Sequence, residues 1–139
     1  MCGRGTPESM TSATHLRGEW ELPAMPRSVR AARHGVRELV ALGGTNEELI
    51  DVAELLTSEL VTNAVRHTAS GQVGVRVLVD AGHVTVEVRD EQVCGLPEHP
   101  VQPRDADEGG RGLLLVDRLA DRWGVAPGDG HKTVWFRLD

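Results

Sequence analysis

Val73-Gly-Val-Arg-Val-Leu-Val-Asp80 and Val84-Thr-Val-Glu-Val-Arg-Asp90, joined through Ala81-Gly82-His83, form the stretch on which the fold turns. Val73, Val75, Val77 and Val79 alternate with Gly74, Arg76 and Leu78. Val84, Val86 and Val88 alternate with Thr85, Glu87 and Arg89. Alternation of this kind sends successive side chains to opposite faces, so each run reads as a strand with one buried side. The Asp80-Ala-Gly-His83 link supplies a tight turn, which makes the pair an antiparallel hairpin. Its valine face needs a covering layer.

That layer lies upstream. Between Arg27 and Leu42, Val29, Ala32, Val36, Leu39 and Val40 recur at helical spacing, with Pro26 at the start and Gly43-Gly44 at the end. Thr45 to Glu48 reads as a capping box that opens a second helix. This helix is predicted to run to about Thr68 on a stripe of Leu49, Val52, Ala53, Leu56, Leu60 and Ala64, with Gly71 as its break. Before both helices, His15 to Leu22 reads as an edge strand closed by Pro23, with Leu16, Trp20 and Leu22 inward. Residues 1–14 are small, polar and patternless, and read as a flexible extension in which Met10 is a second candidate start.

Downstream, Glu91 to Gly110 has no period and holds Pro97, Pro100 and Pro103, the pattern of a functional or disordered loop. Arg111 to Trp123 is predicted helical on Leu113, Leu114, Val116, Leu119 and Ala120. Gly124–Pro127 and Lys132–Leu138 close the chain as a hairpin across Gly128-Asp129-Gly130. The order predicts an α+β two-layer domain over residues 15–139, with three main helices on one face of a mixed, mostly antiparallel sheet.

Composition narrows the function. The chain has 139 residues and a net charge of −6, with one Phe and no Tyr. An acidic chain poor in aromatic rings is unsuited to neutralising phosphates or stacking bases along a nucleic acid. No apolar run approaches the roughly 20 residues of a membrane span, and no secretory leader pattern opens the chain. A cytoplasmic protein is therefore expected. Cys2 and Cys94 stand alone and the six histidines are scattered, so no zinc-type spacing arises. Arg27, Arg30, Arg33 and Arg37 form a basic row on the first helix, either a solvated face or a dock for an acidic partner.

The chemistry concentrates in Glu59-Leu-Val-Thr-Asn63-Ala-Val-Arg-His67. Residues four apart sit about 40° apart around a helix, so Glu59, Asn63 and His67 share a side while Leu60, Val61, Ala64 and Val65 pack. A carboxamide oxygen suits a hard cation such as Mg²⁺, and a carboxylate can accept a proton. The competing reading is a solvated polar face. Asp90, ending a strand beside the loop, either binds a ligand amino group or initiates a turn. Gly109-Gly110-Arg111-Gly112 at a helix start either approaches phosphates or acts as a hinge, and Arg111 meets either a phosphate or solvent. The Thr133 hydroxyl is placed to support Asp90 if their strands are neighbours.

Taken in this order, Glu59 to His67, Val86 to Asp90, Gly110-Arg-Gly112-Leu-Leu-Leu-Val116 and Lys132-Thr-Val-Trp-Phe136 resemble a family. They look like the anti-sigma-factor serine kinases of the histidine-kinase-like (GHKL, Bergerat-fold) ATPase superfamily, and small actinobacterial ATP-binding regulators most of all. The resemblance spans about Trp20 to Leu138. It implies ATP and Mg²⁺ as cofactors, with Asn63 on the metal and Glu59 as general base for a serine hydroxyl or water. It further implies Asp90 on the adenine amino group helped by Thr133, His67, Arg111 and Leu113 at the nucleotide, and Gly110 and Gly112 over the phosphates. Residues 91–110 would be the lid. The implied partners are a sigma factor and an anti-anti-sigma (STAS-type) protein, and homodimerisation is left open. Gln92 and Val93 depart from the glycine that many relatives carry after the aspartate. That departure favours the alternative, a non-catalytic partner-switching module with weak or no nucleotide binding.

Overall fold

The computed structural model describes residues 15–91 and 110–139. Five strands and three helices follow one another as β1 (His15–Pro23), α1 (Pro26–Leu42), α2 (Glu47–His67), β2 (Gln72–Asp80), β3 (His83–Glu91), α3 (Gly110–Leu119), β4 (Arg122–Gly128) and β5 (His131–Leu138). The sheet order is β1-β2-β3-β5-β4, and every pairing is antiparallel rather than mixed. The N-terminal extension, Gln92, Val93 and the loop expected to form the lid, from residue 92 onward, lie outside the described residues.

The hairpin forms as its alternation requires. Ala81 and Gly82 both take positive φ, 52° and 85°, the geometry of a two-residue turn whose twist matches the strands it joins. The alternate valines of β2 and β3 are all buried, together with Phe136 and Leu138 of β5. Against this face α2 lays Ile50, Ala53, Leu56, Leu60, Val61 and Ala64, and α1 lays Ala32, Val36 and Val40. The helices occupy one side of the sheet. The other side carries the ion pairs Arg76–Glu87, Arg76–Glu19 and Arg89–Glu21.

Helix boundaries differ from the predicted ones in instructive ways. The N-cap of α2 is Asn46, whose side chain accepts from the Leu49 amide at 2.8 Å, while Thr45 donates its hydroxyl back to the Val40 carbonyl. Two adjacent cap-forming residues compete at this junction, and the Thr45 hydroxyl is spent closing α1. α3 ends at Leu119, short of the predicted Trp123, because Arg122 onward is recruited as a strand beside β5. Leu113 and Val116 are buried as expected, whereas Leu114 and Leu119 are 42% and 41% exposed.

Half of the basic row of α1 is paired within the molecule. Arg37 reaches Glu47, Asp51 and Glu54 of α2, at 2.8 Å for the last, and Arg33 also reaches Glu54. Hydrogen bonds to Asp51 and Glu54 raise the Arg37 pKa above its already high ordinary value. Two of the four arginines thus fasten α1 to α2 rather than facing a partner.

Trp20 wedges β1 against α1. A Cβ built at Gly35 would come within 2.9 Å of its ring, and one at Gly18 within 2.8 Å, so the ring has no room to retreat. Replacing a helix glycine by alanine ordinarily stabilises by about 0.5–1 kcal/mol. Overpacking of about 1–3 kcal/mol outweighs that gain here. Gly35→Ala is expected to lower unfolding free energy by about 1 kcal/mol in urea denaturation; an increase would show that Trp20 is free to move.

Candidate functional site

The site is assembled where α2 ends and β3 ends. Period-two alternation carries Val84, Val86 and Val88 to the helix side of β3, and the next residue of that series is Asp90. The carboxyl is accordingly buried, with 3% of the residue exposed. Burying an ionisable group in a valine row is costly unless it is partnered, which makes this strand end a candidate functional position.

The end of α2 is fastened beside it. Thr68, the C-cap residue, donates its own amide to Ala64, and its hydroxyl accepts from the Glu91 amide at 3.2 Å. The same hydroxyl oxygen lies 3.1 Å from the Gln72 carbonyl and 3.4 Å from that of Glu91. The Ala69 amide donates to the Glu91 carbonyl at 2.6 Å. Glu91 follows Asp90, so this clamp brings the last turns of α2 alongside the buried carboxyl. Asn63 precedes Thr68 by five residues, about 7.5 Å along the axis.

Glu59 and Asn63 are both half-buried, and His67, at the end of the row, is exposed. Neither Glu59 nor Asn63 makes a side-chain hydrogen bond or ion pair with another described residue. The Asn63 carboxamide oxygen is a hard donor that fits a Mg²⁺ ion taking most of its ligands from water and phosphate, and the Glu59 carboxylate one helical turn away is left to accept a proton. Among the described residues there is no cluster of three or more His, Cys, Asp or Glu that could hold a metal by itself.

α3 contacts α2. Its last residue, Leu119, shares a hollow of about 250 Å³ with Asn46, Leu49 and Val52 at the start of α2. A ten-residue helix is about 15 Å long, so the Gly110 end of α3 stands up to that far from this hollow. The Thr68 clamp brings the last turns of α2, which follow Asn63, beside the end of β3 that carries Asp90.

Thr133 does not join Asp90. Its register partner is Arg89, and both face the helix-free side, where they line a hollow of about 420 Å³ with Glu21 and His131. The residue facing Asp90 across the strand pair is Lys132. Sequence reasoning missed it because the choice between 132 and 133 depends on register, and a slip of one residue exchanges the faces. Nothing local in Gly130-His-Lys-Thr133 reveals that register.

Comparison with known proteins accords with this geometry. Residues 22–138 match the model of the histidine kinase-like ATPase domain. The chain belongs to that family. A serine-protein kinase RsbW from Oceanobacillus iheyensis is 30% identical over 118 residues, which is 74% of each chain. One from Listeria monocytogenes is 27% identical over 115 residues, 73% of each. In fold, the chain is similar to the crystal structure of the RsbU and RsbW domains of a Mycobacterium tuberculosis protein, with a TM-score of 0.65 at 22% identity. That likeness covers 92% of this chain and 32% of the other, so the chain spans about a third of that larger structure. No helix among the described residues is long and apolar enough to cross a membrane.

The clamp is open to test. Thr68→Val keeps the shape and removes the hydroxyl, leaving the Glu91 amide without its acceptor. Unfolding free energy is expected to fall by about 1–2 kcal/mol. An unchanged value would mean that the clamp does not hold the α2 end.

Proposed function

We propose that this protein binds Mg·ATP at the α2–β3 end and acts in the cytoplasm as a serine kinase of a partner-switching circuit. Its substrate is an anti-anti-sigma (STAS-type) protein, and its second partner is a sigma factor that it sequesters. The observation that carries the reading is a buried strand-end carboxyl beside the end of a helix that bears a half-buried Glu–Asn pair, in a member of an ATPase family. Similarity to kinases named for serine-protein phosphorylation supports the reaction class.

Phosphoryl transfer asks a protein for positioning, charge neutralisation and a base. Asp90, acceptor-only when ionised, takes a hydrogen bond from the exocyclic amino group of adenine. Amides at the Gly110–Gly112 helix start donate to phosphate oxygens, and absence of a Cβ at both glycines permits close approach. Asn63 offers its carboxamide oxygen to the magnesium ion, which when bound neutralises charge on the phosphates. Glu59 accepts the proton of the attacking serine hydroxyl. A new bond forms between that oxygen and the γ-phosphorus, the bond to the β-phosphate oxygen breaks, and ADP leaves.

A ligand present at 100 times its Kd stabilises the native state by about 2.7 kcal/mol. Saturating Mg·ATP is therefore expected to raise Tm by several degrees, and Asn63→Ala to remove most of that shift. Glu59→Ala is expected to keep the thermal shift but to lose phosphate transfer to a serine of a co-purified partner. Lack of any shift in the parent chain would overturn the nucleotide reading. A shift without phosphate transfer to any partner would favour the non-catalytic switching module, the reading that Gln92 and Val93 support.

A further inference from the structure

The register that removes Thr133 from the site puts a lysine into it. Across the end of the sheet, on the helix side, facing residues run Leu22, Val73, Asp90, Lys132 and Pro127. The remaining helix-side residues of β5 are Val134, Phe136 and Leu138, all packed in or against the core, so alternation points Lys132 inward with them. Lys132 is half-buried and makes no ion pair or hydrogen bond with another described residue. Facing Cα atoms in an antiparallel pair stand roughly 4.5–5.5 Å apart, so an ammonium on a four-carbon stem reaches the space directly beyond the Asp90 carboxyl.

We propose that Lys132 is a specificity-determining residue that reads the nucleotide base together with Asp90. The inference rests on the nucleotide reading above and adds a second contact to it. An ionised carboxylate only accepts hydrogen bonds, and an ammonium only donates them. Side by side they complement an edge on which a donor neighbours an acceptor. Adenine presents that edge as its exocyclic amino group beside ring nitrogen N1. Asp90 accepts from the amino group and Lys132 donates to N1. The apolar flanks, Val73 and Pro127, offer neither donor nor acceptor, so the polar pair alone sets the position of the base in this row.

The test compares ATP with 1-deaza-ATP, in which N1 is replaced by a C–H group, by calorimetric titration of the full chain in the presence of Mg²⁺. Hydrogen bonds to charged groups contribute about 1.5–3 kcal/mol, a factor of roughly 10 to 100 in affinity. The parent is expected to bind 1-deaza-ATP at least about tenfold more weakly than ATP. Lys132→Met is expected to bind both alike, and both more weakly than the parent binds ATP. Lys132→Arg keeps a donor and is expected to keep the discrimination, and it serves in place of the methionine variant if that one does not fold. Thr133→Val, on the opposite face, is expected to leave all affinities unchanged.

Equal binding of the two nucleotides by the parent overturns the inference while leaving the nucleotide reading intact, as does full discrimination in Lys132→Met. Binding of neither nucleotide by the parent overturns both.

Discussion

The period of two along β3 is the constraint from which the rest follows. It buries Val84, Val86 and Val88 against α2 and, by the same geometry, buries Asp90. The core and the site are therefore not separate designs. A strand long enough to complete the valine face carries its last inward position beyond the packed interior, and at that position the chain places a carboxyl instead of another valine. Stability alone favours an apolar residue there, since taking an ionised group from water costs several kcal/mol unless it is compensated.

The position of α2 makes this carboxyl useful. Buried leucines and alanines fix which side of the helix faces the sheet, and that choice leaves Glu59 and Asn63 half-buried beside the packed stripe. The Thr68 clamp then sets how far along the sheet the helix ends. Rotation about the axis and translation along it are thus fixed by different interactions, one apolar and one hydrogen-bonded. Arg37 adds a third restraint by gathering acids of α2 to α1, so that the helix layer is cross-linked on its solvent side as well.

Much of this was legible in the sequence, and the misses have a common cause. The hairpin and the first two helices rest on periodicities that a chain displays locally, and these form as expected. The assignment of Thr133 failed because register is a property of two strands, and the turn through Gly130 does not announce it. Of the two readings open for the basic row on α1, a solvated face or a dock, neither includes the pairing of Arg33 and Arg37 with acids of α2, which only tertiary packing brings near. Leu114 and Leu119 were read as buried because a short helix tolerates several choices of face, and contact with α2 selected Leu113 and Val116. Pairwise, non-local geometry is what a single sequence withholds.

The claim at the centre is that the α2 end, the β3 end and the α3 start wall one nucleotide site. Amide chemical-shift mapping during titration with Mg·ATP addresses it directly. The account predicts the largest changes at Asn63, Asp90, Lys132 and the Gly110–Leu113 turn. Changes concentrated instead around Arg76, Arg89 and Thr133, on the helix-free face, would contradict it.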